Sequence, residues 1–219
     1  MDKDVRNIVS LYKSAMCLKE LPRQGWILEG ALCCEADTVA SHSFCVALIS
    51  YLTAKLLKKK FEDINPEETT IMAIFHDLGE AATGEIATGV KMWIKKNLPA
   101  NEHDEDPVDK IEHGLLSSLV SNVADIGGSC IMKLVEEYDE GDSKRARIVK
   151  FADVLDAFAH AKVRLNKTFP SYLENVYDKL NKISKDHSNR EVGETLVQWL
   201  KQIVGDDNWD NLKKVLLYK

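Results

Sequence analysis

The residues with the clearest chemical potential in this sequence are a histidine and an aspartate side by side, His76-Asp77, at the end of the apolar run IMAIF. A helix through that run brings both polar side chains to the floor of a cleft, and a carboxylate buried beside an imidazole needs a compensating charge. One divalent cation bridging the two supplies it. His42 opens the preceding long helical pattern, and Asp153 lies within KFADVLDAF, a largely apolar helical segment with the same buried-carboxylate problem. Four candidate ligands thus come from three helices. Taken singly, each also reads as an ordinary core or capping residue. Together, two imidazoles and two carboxylates form a borderline-to-hard donor set that suits Mn2+, Co2+, Fe2+ or Zn2+. One such metal per chain is the expectation, with chemistry that lowers the pKa of a water and polarises a phosphoryl oxygen.

Around this set stand candidate working groups. Glu80 is three residues beyond Asp77, on the same side of a continuing helix, and reads as an acid or base or else as a solvated glutamate. Glu85 follows the Thr83-Gly84 break. It could accept a hydrogen bond from a sugar hydroxyl, position an attacking water, or serve as a first-turn acid of the next helix. Arg23 offers a planar fork of donors suited to phosphate, or a surface ion pair.

These residues need elements to hold them, and apolar positions recur at three- and four-residue spacing with almost no strand-like alternation, so the fold class is all-α. The pattern predicts a helix over 3–20 ended by Pro22, then an irregular segment with Gly25 and Gly30 as breakers. A helix from Ser41 to Lys60 follows, with Phe44, Leu48, Leu52 and Leu56 as its apolar stripe. Asn65 and Pro66 supply a cap and a first-turn proline for a helix over 66–82, with Glu68 at the capping-box position and Gly84 as its stop. Further patterns cover about 85–97, 107–124, 129–141, 143–167, 170–186, 190–204 and 207–217, interrupted by acidic NEHDEDP.

The order His, His-Asp, Asp resembles the signature of the HD superfamily of metal-dependent phosphohydrolases. The resemblance covers about residues 20–165 and is most specific to the 5'-deoxynucleotidase branch, the YfbR-like and HD-domain-containing-protein-2-like proteins. That branch runs H-D-x-x-E-x-x-x-G-D/E-I/L-x-T-x-x-K, and residues 76–91 read HDLGEAATGEIATGVK. Pro22-Arg23-Gln24-Gly25-Trp26 is similar to the branch's P-R-x-G-W, and Lys150-Phe151-Ala152-Asp153 to its K-x-A-D. The resemblance implies an HD-type helical bundle, metal held by His42, His76, Asp77 and Asp153, and acid/base work at Glu80 with Glu85 beside it. It implies phosphate binding by Arg23, and Trp26 packed near the sugar to exclude a ribose 2'-hydroxyl, although Trp26 also reads as a core anchor. Thr88 and Lys91 match the motif as substrate-binding candidates, Lys91 reading equally as a solvated helix lysine. A homodimer is likewise implied. Ser41 departs from the family, which usually places an acidic residue before the first histidine.

The implied activity is hydrolysis of deoxyribonucleoside 5'-monophosphates. Other readings are another HD phosphohydrolase, either a phosphodiesterase using His103 and His113 for a second metal or a guanosine-tetraphosphate hydrolase, and a non-catalytic nucleotide-binding scaffold. Ala81 stands where the guanosine-tetraphosphate class resembles H-D-x-x-E-D, which counts against that class.

Composition narrows the rest. The 219 residues, 45% of them hydrophobic, suffice for a single domain over 1–219, with a metal-site core at about 20–165 and C-terminal helices over 170–217 packed on it. Trp199, Trp209, Leu212, Leu216 and Leu217 would cover that core or form a dimer surface. A net charge of -6, with basic residues scattered among acids, excludes the broad cationic face that duplex nucleic acid requires, while a small anionic ligand remains compatible. MDKDVRNIVS lacks the apolar region of a secretory signal and apolar runs elsewhere are broken by charge, so no membrane association and a cytoplasmic location are expected. Cys17, Cys33, Cys34, Cys45 and Cys130 form no C-x-x-C pair and are expected to be reduced packing residues.

Overall fold

The computed structural model describes residues 2–98 and 107–163, with Glu194, Gln198 and Gln202 as isolated helical positions beyond them. The described residues form α1 (Lys3–Ala15), α2 (Gln24–Leu28), α3 (Val39–Lys58), α4 (Pro66–Phe75), α5 (Glu80–Thr83), α6 (Thr88–Asn97), α7 (Pro107–Val120), α8 (Gly128–Glu140) and α9 (Lys144–Val163), with 3-10 turns at Met16–Lys19 and Ser121–Ile126. Among the described residues there is no strand, only an isolated antiparallel bridge between Pro22 and Thr38. The all-α expectation holds. The C-terminal helices over 170–217, their tryptophans and leucines, and His103 lie outside the described residues.

The chain divides into two compact units, one made of Met1–Phe44 and Ile71–Asp139, the other of Cys45–Thr70 and Glu140–Lys219. In the first, Leu78, Leu116, Val120, Val123 and Val135 form a buried cluster, with Leu11, Leu18, Phe75 and Ile131 packed against it. Leu78 therefore anchors the segment between His76 and Glu80 directly to α7 and α8. Gly128 opens α8 where a β-carbon would meet the Val120 carbonyl oxygen at 2.4 Å, so only glycine permits this approach.

In the second unit, α9 is buried along most of its length through Ile148, Val149, Phe151, Leu155 and Phe158. Lys144 pairs with Asp63, Arg145 with Glu68, and Lys55 with Glu67. Asn65 caps α4 as expected, accepting from the Glu67 and Glu68 N–H groups. Glu68 does not close a capping box, because its carboxylate is engaged by Arg145.

Several local expectations are corrected. Gly25 lies inside the short α2, whereas Gly30, at φ +83°, does end it. α3 begins at Val39 through a reciprocal cap: Ser41 Oγ accepts from Thr38 N–H and Thr38 Oγ1 accepts from Ser41 N–H. Its buried face carries Val39, His42, Val46, Ser50, Thr53 and Leu57, while the stripe read from the sequence is exposed, Phe44 by 69%. Small and hydroxyl-bearing residues allow close packing, so the larger apolar groups are left on the other side. The helix expected over 66–82 breaks, with His76–Gly79 forming successive turns before α5. None of the five cysteines forms a disulfide, but four are exposed and only Cys45 is partly buried, so four of them are not core packing residues. Among the described residues, α3 is also the one helix long and apolar enough to cross a membrane, since no formal charge interrupts it before Lys55. A partly buried core helix has the same length and composition.

Candidate metal centre

His42 sits in the first turn of α3 and His76 immediately after α4, and both are buried, with 1% and 7% of their surfaces exposed. The two rings lie 5.6 Å apart, tilted by 58°. His76 Nδ1 is 2.8 Å from the Ala73 carbonyl oxygen. A carbonyl can only accept, so Nδ1 carries a proton, which leaves Nε2 to face Asp77. Asp77 Oδ2 lies 3.2 Å from His76 Nε2 and 3.8 Å from His42 Nε2. Ligand atoms about 2.1 Å from one ion stand roughly 3.0–3.4 Å apart in octahedral or tetrahedral geometry. The His76–Asp77 separation falls in that range and the His42–Asp77 separation is a few tenths of an ångström longer, so the three donors need only a small shift to share a divalent metal. The Tyr138 ring approaches His76 edge-on, with centroids 5.3 Å apart.

Charge around Asp77 is dense. Burial opposes its ionisation, yet His76, Arg23 and His42 outweigh burial and hold the carboxyl below its usual range. Glu80 opens α5, and its Oε2 is buried with no hydrogen-bond partner among the described residues. Burial, with Asp77 and Glu85 as negative neighbours, pushes the Glu80 carboxyl up to about 9 against the pull of Arg23 and Lys91. Burial also raises Glu85, opposed by Arg23.

Arg23 Nε lies 3.0 Å from Glu85 Oε1, and Arg23 Nη1 lies 3.9 Å from Asp77 Oδ2. The backbone N–H of Gln24 donates to Glu85 Oε2. Glu85 thus serves a helix N-terminus, but that of α2 rather than that of the following helix. Trp26 is buried, and its indole N–H donates to Asp37 Oδ1 at 2.8 Å, the arrangement of a core anchor. Thr88 opens α6. Lys91 is not a solvated lysine: its ammonium is 2.7 Å from Glu112 Oε1, and although burial opposes its charge, the Glu112 hydrogen bond raises its pKa.

The structure therefore gathers Arg23, His42, His76, Asp77, Glu80, Glu85 and Lys91 into one unit. Asp153 lies in the other, half-buried on α9 between Ala152 and Val154. Asp37 and Glu112 escaped the sequence reading. Neither belongs to a motif, and only a salt bridge to a distant helix or an indole hydrogen bond reveals them. His113, considered for a second metal, is paired with Asp139 at 2.7 Å.

A family profile described as HD domain matches residues 15–196. A 5'-deoxynucleotidase of Erwinia tasmaniensis is 30% identical over 148 residues, covering 60% of this chain and 70% of that one. A 4'-phosphooxetanocin A phosphatase of Priestia megaterium is 27% identical over 175 residues, covering 78% and 82%. Among solved structures, a conserved hypothetical protein from Pyrococcus furiosus is similar with a TM-score of 0.65 and 28% identity, over 87% of this chain and 99% of that one. A predicted metal-dependent phosphohydrolase from Magnetospirillum magnetotacticum, at 16% identity and a TM-score of 0.61 over 94% and 95%, shares the fold. With the His, His-Asp, Asp order in its sequence and the profile match spanning most of its length, this chain belongs to the HD domain family.

Proposed function

We propose that this protein is a divalent-metal-dependent phosphomonoesterase that hydrolyses deoxyribonucleoside 5'-monophosphates to deoxyribonucleoside and phosphate. The observation that carries the reading is the convergence of His42 Nε2 and His76 Nε2 on Asp77 Oδ2, with a guanidinium 3.9 Å from that same oxygen. His42, His76 and Asp77 would hold the metal, with Asp153 as fourth ligand on the strength of its K-x-A-D match. The ion would supply Lewis-acid polarisation of a phosphoryl oxygen and an activated water. Mn2+, Co2+, Fe2+ and Zn2+ all suit the donors.

The chain's own groups supply the rest. Arg23 presents paired N–H donors to the phosphate. Glu80, kept protonated by burial, can give its proton to the departing sugar oxygen, a task that requires a carboxylic acid at neutral pH. Lys91, held by Glu112, adds positive charge that limits how far the Glu80 carboxyl is pushed up. The specificity for a 5'-deoxynucleotide is supported by the motif over residues 76–91 and by the relatives that bear that name. A homodimer is part of the same proposal, and light scattering tests it.

The test is phosphate release from 5'-deoxynucleotides, matching ribonucleotides and 3'-phosphates, with metals added back to stripped protein. Metal-dependent release confined to 5'-deoxynucleotides and absent in Asp77→Ala supports the reading. Intact monoesters in the presence of bound metal overturn it.

A further inference from the structure

His76 stands just past the end of α4, where Leu78 N–H donates to the Phe75 carbonyl in a turn, so a regular helix no longer fixes its ring. Its Nδ1 is 2.8 Å from the Ala73 carbonyl oxygen, and its Nε2 faces Asp77 Oδ2 at 3.2 Å. One hydrogen bond along one edge leaves an imidazole able to rock about that edge. Two neighbouring rings oppose the rocking. His42 lies at 5.6 Å with the planes tilted by 58°, and Tyr138, from the last turn of α8, lies at 5.3 Å with the planes 64° apart.

Tyr138 is itself held on both sides. Val135, three residues earlier on the same face of α8, is buried in the cluster that contains Leu78. Asp139, the next residue, pairs with His113 of α7 at 2.7 Å. His76 and Leu78 are the two chain neighbours of Asp77, so one face of α8 engages both sides of that carboxylate, Tyr138 through the His76 ring and Val135 through the cluster it shares with Leu78. Gly128 sets where that face falls, since α8 starts directly against the Val120 carbonyl.

We propose that Tyr138 is a positioning residue of the metal centre: its ring fixes the plane of the His76 imidazole, so that Nε2 meets the ion held with His42 and Asp77. The proposal rests on the metal-binding role given to those three residues above. Aromatic rings in contact prefer an edge-to-face arrangement, which the 64° angle provides. A ligand held in place before the ion arrives has less freedom to lose on binding.

Mn2+ is the probe, titrated calorimetrically into the metal-stripped full chain of wild type, Asp77→Ala, Tyr138→Phe, Tyr138→Leu and Tyr138→Met. The leucine and methionine variants both fill the space without a ring, so if one fails to fold the other decides. The expected result is that the ringless variants weaken Mn2+ binding roughly tenfold to one-hundredfold while Tyr138→Phe stays within about twofold of wild type. In the Co2+-loaded chain, the visible absorption band reports ligand geometry and should move in the ringless variants but not in Tyr138→Phe. A loss of affinity as large in Tyr138→Phe as in Tyr138→Leu, or a loss with the Co2+ band unmoved, overturns the positioning role. If wild type binds no Mn2+, or Asp77→Ala binds it as tightly as wild type, the metal centre of the proposed function falls and the inference falls with it. If binding depends on Asp77 and a folded ringless variant binds as wild type does, the inference alone is overturned.

Discussion

At Glu80 the chemistry and the stability of the protein pull in opposite directions. Its carboxyl, raised to about 9 from 4.5, is neutral in the metal-free fold at neutral pH, while the same group in the unfolded chain is ionised. A folded-state pKa above the unfolded one makes a contribution to stability that is complete below pH 4.5 and is lost as the pH rises towards 9. Glu80→Gln, which never ionises, should raise the melting temperature of the metal-free protein more at pH 8 than at pH 5. The same variant should lower kcat by about 10²–10⁴, the usual contribution of a general acid, while metal affinity is retained. Thermal melts across pH and steady-state rates check the two halves. A uniform gain at all pH values would show that Glu80 is not held neutral. Much of this site was legible in the chain itself, because His76, Asp77 and Glu80 crowd into five residues and share an apolar run. Lys91 was not, since its environment depends on Glu112, which arrives from α7 with no motif to announce it.

Among the elements, helix existence was read more reliably than helix face. The stripe Phe44, Leu48, Leu52 and Leu56 is a valid apolar repeat, yet α3 buries the alternative repeat through His42, Val46, Ser50, Thr53 and Leu57. Apolar periodicity favours the first, and close packing of small and hydroxyl-bearing side chains selects the second. The break between α4 and α5 was hidden for a related reason, since no proline or positive-φ glycine marks residues 76–79. Two substitutions test the elements that carry the site. Gly128→Ala puts a β-carbon against the Val120 carbonyl and should cost about 1–3 kcal/mol in denaturant unfolding. Asn65→Ala removes the acceptor for two N–H groups of α4 and should cost about 1 kcal/mol.

For the whole molecule, metal and folding are linked. A ligand bound only by the folded chain stabilises it by about 2.7 kcal/mol at a free concentration one hundred times its Kd. Adding Mn2+ to stripped protein should therefore raise the melting temperature progressively, and Asp77→Ala should abolish most of that rise. A metal-induced rise in melting temperature that survives intact in Asp77→Ala would remove Asp77 from the ligand set. The net charge of -6 points the same way, since the metal-free chain carries excess negative charge that a bound cation offsets. How residues 170–217 contribute was read from the sequence only as apolar patterning, which gives no partner for each stripe.

The hydrogen bonds that flank α2 also govern where the chain tolerates insertion. Arg23 N–H donates to the Asp37 carbonyl and Val39 N–H to the Leu21 carbonyl, both at 2.9 Å, so the segment between them is closed at its neck like a drawstring. Leu32, Cys33, Cys34 and Glu35 are exposed beyond that neck. Lengthening such a loop costs little, about 0.6 kcal/mol for each doubling. Residues inserted there should therefore leave Arg23 and His42 in register, which makes this segment a place where the chain can lengthen without rebuilding the centre.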